Sequence, residues 1–186
     1  MKKILMTIAL AICTAGASFA QSFNIDAGVA MDYSNGYDGI AFGGTIDFDY
    51  VLPANVAIFS NTDFAFGSGS PNFVIAEILG AGYRFNLSEK LYLQAGAGLG
   101  VVFFDHNDDS IPGVDGESDT IYGEFGPALA VKFGIKFTET IGMNFGLDAI
   151  VHPVKIFHDN EDVGLDPESH LSVIPKVCFV LSSKSN

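Results

Sequence analysis

The sequence predicts an all-β fold, a closed antiparallel up-and-down barrel of eight transmembrane strands. Three observations lead to this prediction. Apolar residues alternate with polar or small ones along most of the chain, which is the pattern of strands with two unlike faces. No segment after residue 20 contains eighteen consecutive apolar residues, so the pattern excludes helical membrane spans. Short and long connections alternate, which places tight turns at one end of the barrel and long loops at the other.

The first twenty residues have the three parts of a secretory signal peptide. They carry two lysines, an apolar run from Ile4 to Ile12, and the small-residue end Ser18-Phe19-Ala20. The run is far shorter than the roughly 20 residues that a spanning helix needs. We therefore predict that residues 1–20 are a cleaved signal peptide and that residues 21–186 form one barrel domain.

The first four predicted strands show the alternation with increasing irregularity. In strand 1, Phe23 and Ile25 alternate with Asn24 and Asp26, and strand 2 repeats this pattern. Strand 3 is less regular, and in strand 4 a glutamate falls on the oily face, which indicates a bulge or a position at the membrane edge. The predicted bounds are 23–33, 40–50, 56–66 and 73–85, and the glutamate is Glu77.

Strand 5, LYLQAGAGLGVVF at residues 91–103, is the most apolar and carries alternate glycines. Their GxGxG spacing differs from the dinucleotide fingerprint GxGxxG, and no helix pattern follows, so we exclude nucleotide binding. As a strand, it places these glycines on the lumen side beside those of strand 4. Glycine in a strand indicates a close neighbour, such as Phe59, Tyr92 or Phe104, or else an open solute path. The predicted glycine stripe is Gly80, Gly82, Gly96, Gly98 and Gly100.

The last three predicted strands are 120–137, 141–151 and 170–181. Pro127 and Pro175 fall inside two of them, and each removes a hydrogen-bond donor from its ladder. The turns are LPAN, NLSEK and TET. The long connections are SNGYDG, GSGSPN, HNDDSIPGVDGESD and PVKIFHDNEDVGLDPES.

The charge balance disfavours nucleic acid, and we expect no such partner. Removing Lys2 and Lys3 leaves 7 basic and 22 acidic side chains, which moves the net charge from −13 to −15. Binding to a phosphate backbone depends on lysine and arginine, so this balance disfavours it. Cys178 is the one cysteine outside the predicted signal, and an internal disulfide is therefore excluded.

This alternation of strands, turns and loops resembles the small eight-stranded barrels of the bacterial outer membrane, such as the OmpA transmembrane domain, OmpX and OmpW. The resemblance implies an outer-membrane location, periplasmic termini, outer-membrane lipid as solvent, and a structural, adhesin-like or surface-exposed role with an extracellular partner for the acidic loops. The chain departs from the family pattern because it runs past Leu181 into SSKSN and does not end on an aromatic residue. The sequence specifies neither the partner nor the oligomeric state.

Two alternatives remain open. One is a narrow channel or an OmpW-like transporter for small or apolar solutes. The other is a soluble periplasmic ligand binder of the lipocalin type, whose oily faces would point inward. This second alternative is disfavoured because those faces would overfill a small interior and leave a poorly solvated outer surface of glycine, alanine and aspartate.

Charged residues on the small-residue faces predict a lumen charge network. An unpaired buried ion costs several kcal/mol, so these side chains must pair, and an eight-stranded barrel is only wide enough for its own side chains. We therefore predict a plugged lumen, with a charge-lined pore as the alternative. The predicted members are Asp26, Asp47, Asp49, Arg84, Lys132, Lys136 and Lys176.

The histidines give the sequence its only candidate metal ligands of the zinc type. His152 and His170 fall opposite each other on the lumen side of the last hairpin, and imidazoles with a carboxylate suit Zn²⁺. The loop acids lack the spacing of a calcium loop. We expect no metal and no cofactor, with these two histidines as the candidates if one binds. Serine, histidine and aspartate show no spacing that marks an activated nucleophile, so we expect no enzyme activity.

Overall fold

The computed structural model describes residues 22–35, 39–67, 72–107, 119–158 and 164–184, and within them the chain forms a closed antiparallel barrel. Each strand pairs with the next, and β1 pairs with β8 to close the wall. The predicted fold class is confirmed. The strands are β1 Ser22–Ser34, β2 Gly39–Val51, β3 Val56–Phe66, β4 Phe73–Asn86, β5 Leu91–Asn107, β6 Asp119–Lys136, β7 Ile141–His158 and β8 Gly164–Lys184.

The helical structure in the described residues is short. A single 3₁₀ turn, Pro53–Asn55, connects β2 to β3. None of the helices among the described residues is long and apolar enough to cross a membrane. The predicted signal peptide lies outside the described residues.

The last hairpin is longer than the sequence pattern predicts. The stretch 153–169 is predicted as loop because Pro153 and several acids interrupt the alternation. In the structure β7 continues to His158 and β8 begins at Gly164. A register shift between His152 and Val154 absorbs the proline, and pairing then resumes. A bulge therefore lets the ladder run past a residue that cannot donate to it.

The oily face of every strand is the outer surface of the barrel. Phe42, Leu79 and Phe179 are 62%, 61% and 66% exposed, whereas Asp26 and Asp47 on the lumen side are fully buried. A soluble barrel needs the opposite arrangement, with polar groups outside. An apolar outer wall around a closed ring of paired strands is what a lipid environment requires.

Glu77 lies on this outer wall without a bulge. The β3–β4 register is continuous, and Glu77 lies opposite Thr62. Its carboxylate accepts a 2.7 Å hydrogen bond from the Ser60 hydroxyl and a second from the Thr62 hydroxyl. The two hydroxyls on the neighbouring strand therefore compensate an acid in an apolar surface, and the bulge expected from its position is not needed.

Prolines coincide with the irregularities of the wall. Pro127 lies in a register shift between Phe125 and Ala128 on β6. Pro175 lies where the β1–β8 ladder is interrupted, between the pairs Ala30–Lys176 and Tyr33–Val173. Because proline has no N–H, it breaks the regular ladder at each of these places.

The glycine stripe lies between β4 and β5, where the two strands approach closely. Gly80 faces Gly98, and Gly82 faces Gly96. A methyl group at Gly98 would lie 2.1 Å from the carbonyl oxygen of Leu79, a backbone atom that cannot move aside.

Bulky lumen side chains occupy the remaining space. The Phe59 ring packs on both Gly80 and Gly96, where a Cβ would come within 2.5 Å of it. Ile150 packs on Gly100 in the same way, whereas Tyr92 packs on Gly134 of β6. The contacts of Phe59 favour the close-neighbour interpretation of the stripe over an open path.

We predict that Gly98→Ala destabilises the barrel by about 1–3 kcal/mol, because its methyl group overpacks against backbone. Gly44→Ala is the matched control, since the nearest atom to its Cβ is 3.6 Å away. Urea unfolding in phospholipid vesicles, followed by circular dichroism, measures both. Equal midpoints for the two variants would contradict the close approach.

Candidate functional site: the charged lumen

Lys132 lies at the centre of the turn-side half of the lumen. β6 projects its ammonium group to 3.3 Å from Asp26 Oδ2, 3.0 Å from Asp47 Oδ2 and 3.2 Å from Asp49 Oδ2. All four side chains are buried. A single cation therefore joins carboxylates of β1 and β2 to the opposite wall.

Arg84 of β4 extends this arrangement towards the turns. Its guanidinium lies 3.4 Å from Asp49 Oδ2 and donates two hydrogen bonds to Gln94 Oε1, at 2.9 and 2.7 Å. Gln94 donates in turn to Asp49 Oδ1 at 2.8 Å. The guanidinium also lies over the Tyr92 ring, 4.3 Å from its centroid.

Lys176 of β8 forms a second centre above Lys132. Its ammonium lies 2.6 Å from Asp148, 3.0 Å from Asp47 and 3.6 Å from Asp63. Asp47 contacts both lysines, so the two centres are one network. Two amides complete it: Asn61 donates to Asp148 at 2.9 Å, and Asn144 donates to Asp26 at 2.6 Å.

All eight strands contribute to this arrangement, which we call the lumen network. Within the described residues it holds five carboxylates and three cations. Its members are Asp26, Asp47, Asp49, Asn61, Asp63, Arg84, Gln94, Lys132, Asn144, Asp148 and Lys176.

The predicted residues and the observed network differ at a few positions. Lys136 lies at the turn end of β6, and its ammonium is 5.8 Å from the centroid of the Tyr92 ring, over which Arg84 also lies. The other predicted charges lie within the network. The prediction omits Asp63 and Asp148 and the three amides Asn61, Gln94 and Asn144, although the period-two alternation places each of them on the lumen face.

An apolar layer separates the lumen network from the loop-side mouth. Ile150 lies two residues from Asp148 on β7, and Ile174 lies two residues from Lys176 on β8. Both are fully buried and cluster with Ile78. Along the barrel axis, the charged layer of the lumen is therefore followed by an apolar layer.

Above this layer lie two imidazoles and a carboxylate. His152 and His170 are directly opposite each other on β7 and β8, as the hairpin pattern predicts. The Glu124 carboxylate contacts Nδ1 of both rings, and the His170 contacts measure 3.0 Å to each carboxylate oxygen. His152 Nε2 lies 3.1 Å from the Ser172 hydroxyl. We call Glu124, His152 and His170 the histidine cluster.

At the mouth, Asp105 connects β5 to the start of β4. It accepts hydrogen bonds from Asn72 and from the Phe73 backbone N–H, both at 2.8 Å. The remaining loop acids near the predicted histidine pair lie outside the described residues: Asp108, Asp109, Asp159, Glu161 and Asp162.

Replacing Lys132 by methionine should cost about 3–5 kcal/mol of unfolding free energy, because it leaves buried carboxylates without their cation. Lys90→Met removes the same charge at an exposed position of the β4–β5 turn and should cost less than about 1 kcal/mol. Urea unfolding of both variants in vesicles provides the comparison. A loss for Lys132→Met no larger than that for Lys90→Met would show that the network does not stabilise the barrel.

No family model matches the chain, and no curated protein matches it. Solved structures with the same fold do match. Ail of Yersinia pestis is 9% identical over 88% of this chain and 99% of its own, with a TM-score of 0.59. OprG of Pseudomonas aeruginosa is 12% identical over 91% and 99%, with a TM-score of 0.57. The neisserial surface protein NspA is 14% identical over 88% and 96%, with a TM-score of 0.55. The chain thus has the fold of the small eight-stranded outer-membrane barrels.

Proposed function

We propose that this protein is an outer-membrane barrel with a closed lumen, which anchors acidic loops at the cell surface in a structural or adhesin-like role. The observation that carries the proposal is the lumen network. Its buried ion pairs run from wall to wall and use side chains of every strand. A lumen filled by mutually paired side chains supports a scaffold function better than a conducting one. The proposal assigns the barrel no catalytic step and no cofactor.

The outer surface supports residence in a bilayer. Beside the apolar wall, tyrosines lie near both ends of the strands, where interface girdles occur in such barrels. Tyr33, at the loop end of β1, is 51% exposed, and Tyr83, near the turn end of β4, is 42% exposed. Tyr83 packs edge-on against Phe85, with ring centroids 4.8 Å apart. In barrels of this kind the short turns face the periplasm and the long loops face outward.

The charge of the loops favours a cationic partner. The two longest connections are rich in aspartate and glutamate, and the whole chain carries 22 acids against 9 bases. Ail, which has this fold, has been solved in complex with the heparin analogue sucrose octasulfate, a polyanion. The loops of the present chain would repel such a ligand, so we propose a basic protein or surface as their partner.

Cysteine labelling on intact cells tests this placement. We expect Ser110→Cys in the long β5–β6 connection to react with a membrane-impermeant maleimide. Glu139→Cys in the β6–β7 turn should react only after the outer membrane is permeabilised. Both are made in a Cys178→Ser background, which alone serves as the control. Labelling of the turn but not the loop, or release of the protein without detergent, would contradict the proposal.

A second candidate function, lateral passage of apolar solutes, is favoured by the wall beside Pro175. There the β1–β8 ladder is interrupted, and an apolar depression opens on the outer surface between Val29, Phe42, Phe145 and Val177. Uptake of an apolar dye by vesicles that carry the barrel, and its loss in Pro175→Ala, would favour this candidate.

A further inference from the structure

We propose that the histidine cluster is a binding site for one transition-metal dication of the zinc class. Glu124, His152 and His170 offer one ligand atom each, and these atoms lie within 4.8 Å of one another. Two imidazoles and a carboxylate are a donor set typical of Zn²⁺, with a fourth position left for water. Nitrogen donors disfavour Ca²⁺ and Mg²⁺, which take oxygen ligands.

The arrangement of the cluster suits a cation between its members. When the Nε2–H of His152 donates to the Ser172 hydroxyl, the lone pair of Nδ1 points at the Glu124 carboxylate. Nδ1 of His170 points at the same carboxylate. Two lone pairs and an anion repel one another unless protons or a cation lie between them. A single dication satisfies all three groups at once.

The distances fit this chemistry. With metal–ligand bonds of about 2.0–2.1 Å, adjacent ligand atoms of a tetrahedral site lie about 3.3 Å apart. His170 Nδ1 lies 3.0 Å from each oxygen of Glu124. The three ligand atoms lie within 4.8 Å of one another, so the rings would have to turn towards each other to share one centre. The contact of His152 with Ser172 is the outer hydrogen bond that fixes the tautomer of a metal-binding histidine.

The strand pairing around the cluster is irregular at the residues that carry these side chains. The β6–β7 register shifts between Gly123 and Glu124, and the β7–β8 register shifts between His152 and Val154. At the bulge the Pro153 ring packs on Gly126, where a Cβ would lie 2.6 Å from its Cδ. Bulges that redirect side chains are frequent beside functional sites.

Access and surroundings also suit a metal. The His170 side chain is 19% exposed towards the loop-side mouth, whereas Glu124 is 1% exposed and His152 is fully buried. Ile150 and Ile174 form an apolar floor below the cluster and separate it from Lys132 and Lys176. A cation therefore enters from the outside and meets a site that is dry on its inner side. The site does not depend on whether the lumen conducts.

Isothermal titration of the refolded, untagged mature barrel in detergent with Zn²⁺ tests the site. We expect binding of one equivalent, at least tenfold weaker in His170→Asn and in Glu124→Gln, and lost in the double variant His152→Asn/His170→Asn. The matched control is His106→Asn/His158→Asn, which removes the other two histidines of the chain and should bind as the parent does. Ca²⁺ should not compete.

Absorption of Co²⁺ bound to the same proteins gives a second measurement. The parent should show the absorption bands of tetrahedral Co²⁺, and His170→Asn should lack them. The His170 side chain lies at the mouth, so its replacement costs the least folding stability. Circular dichroism verifies that each variant is folded. Failure of the parent to bind Zn²⁺, or one-equivalent binding that survives the double substitution, overturns the proposal.

Discussion

The pairing of charges inside the lumen is the constraint on which the rest of this barrel depends. Once the strands close, aspartates on the inner faces of β1, β2, β3 and β7 lose contact with bulk water. Lys132 and Lys176 then become necessary, because a buried carboxylate without a cation costs several kcal/mol. Asp47 contacts both lysines, and so the two centres act together. The wall is therefore cross-linked through its interior as well as along its hydrogen-bond ladder.

The same constraint explains the distribution of small residues. A lysine or an aromatic ring that points into the lumen needs space above the neighbouring strands. Glycine supplies it: Lys176 packs on Gly146, Phe59 on Gly80 and Gly96. The outer face contacts lipid and therefore requires apolar side chains, and there the strands present phenylalanine, leucine and valine. Because side chains alternate with period two, each strand places charged or small residues in the lumen and apolar residues on the outer wall.

Much of the fold and of the lumen network could be predicted from the sequence, because the strands follow the alternation of side chains and the spacing of turns wherever strand pairing is regular. β3 has the predicted bounds, and the lumen charges Asp26 and Lys176 lie where alternation places them. Prediction fails where the ladder is irregular. Alternation assigns Glu124 and His152 to the lumen, but their contact could not be predicted, because the strand pairing shifts between Gly123 and Glu124 and between His152 and Val154.

The lumen network closes the barrel, and single-channel recording in planar bilayers measures whether it does. The refolded parent should show no stable openings over the voltage range that the bilayer tolerates. A Lys132→Ala/Lys176→Ala variant, checked for folding by circular dichroism, should show openings or frequent transitions. Reproducible open channels in the parent would contradict a closed lumen and would favour a charge-lined pore.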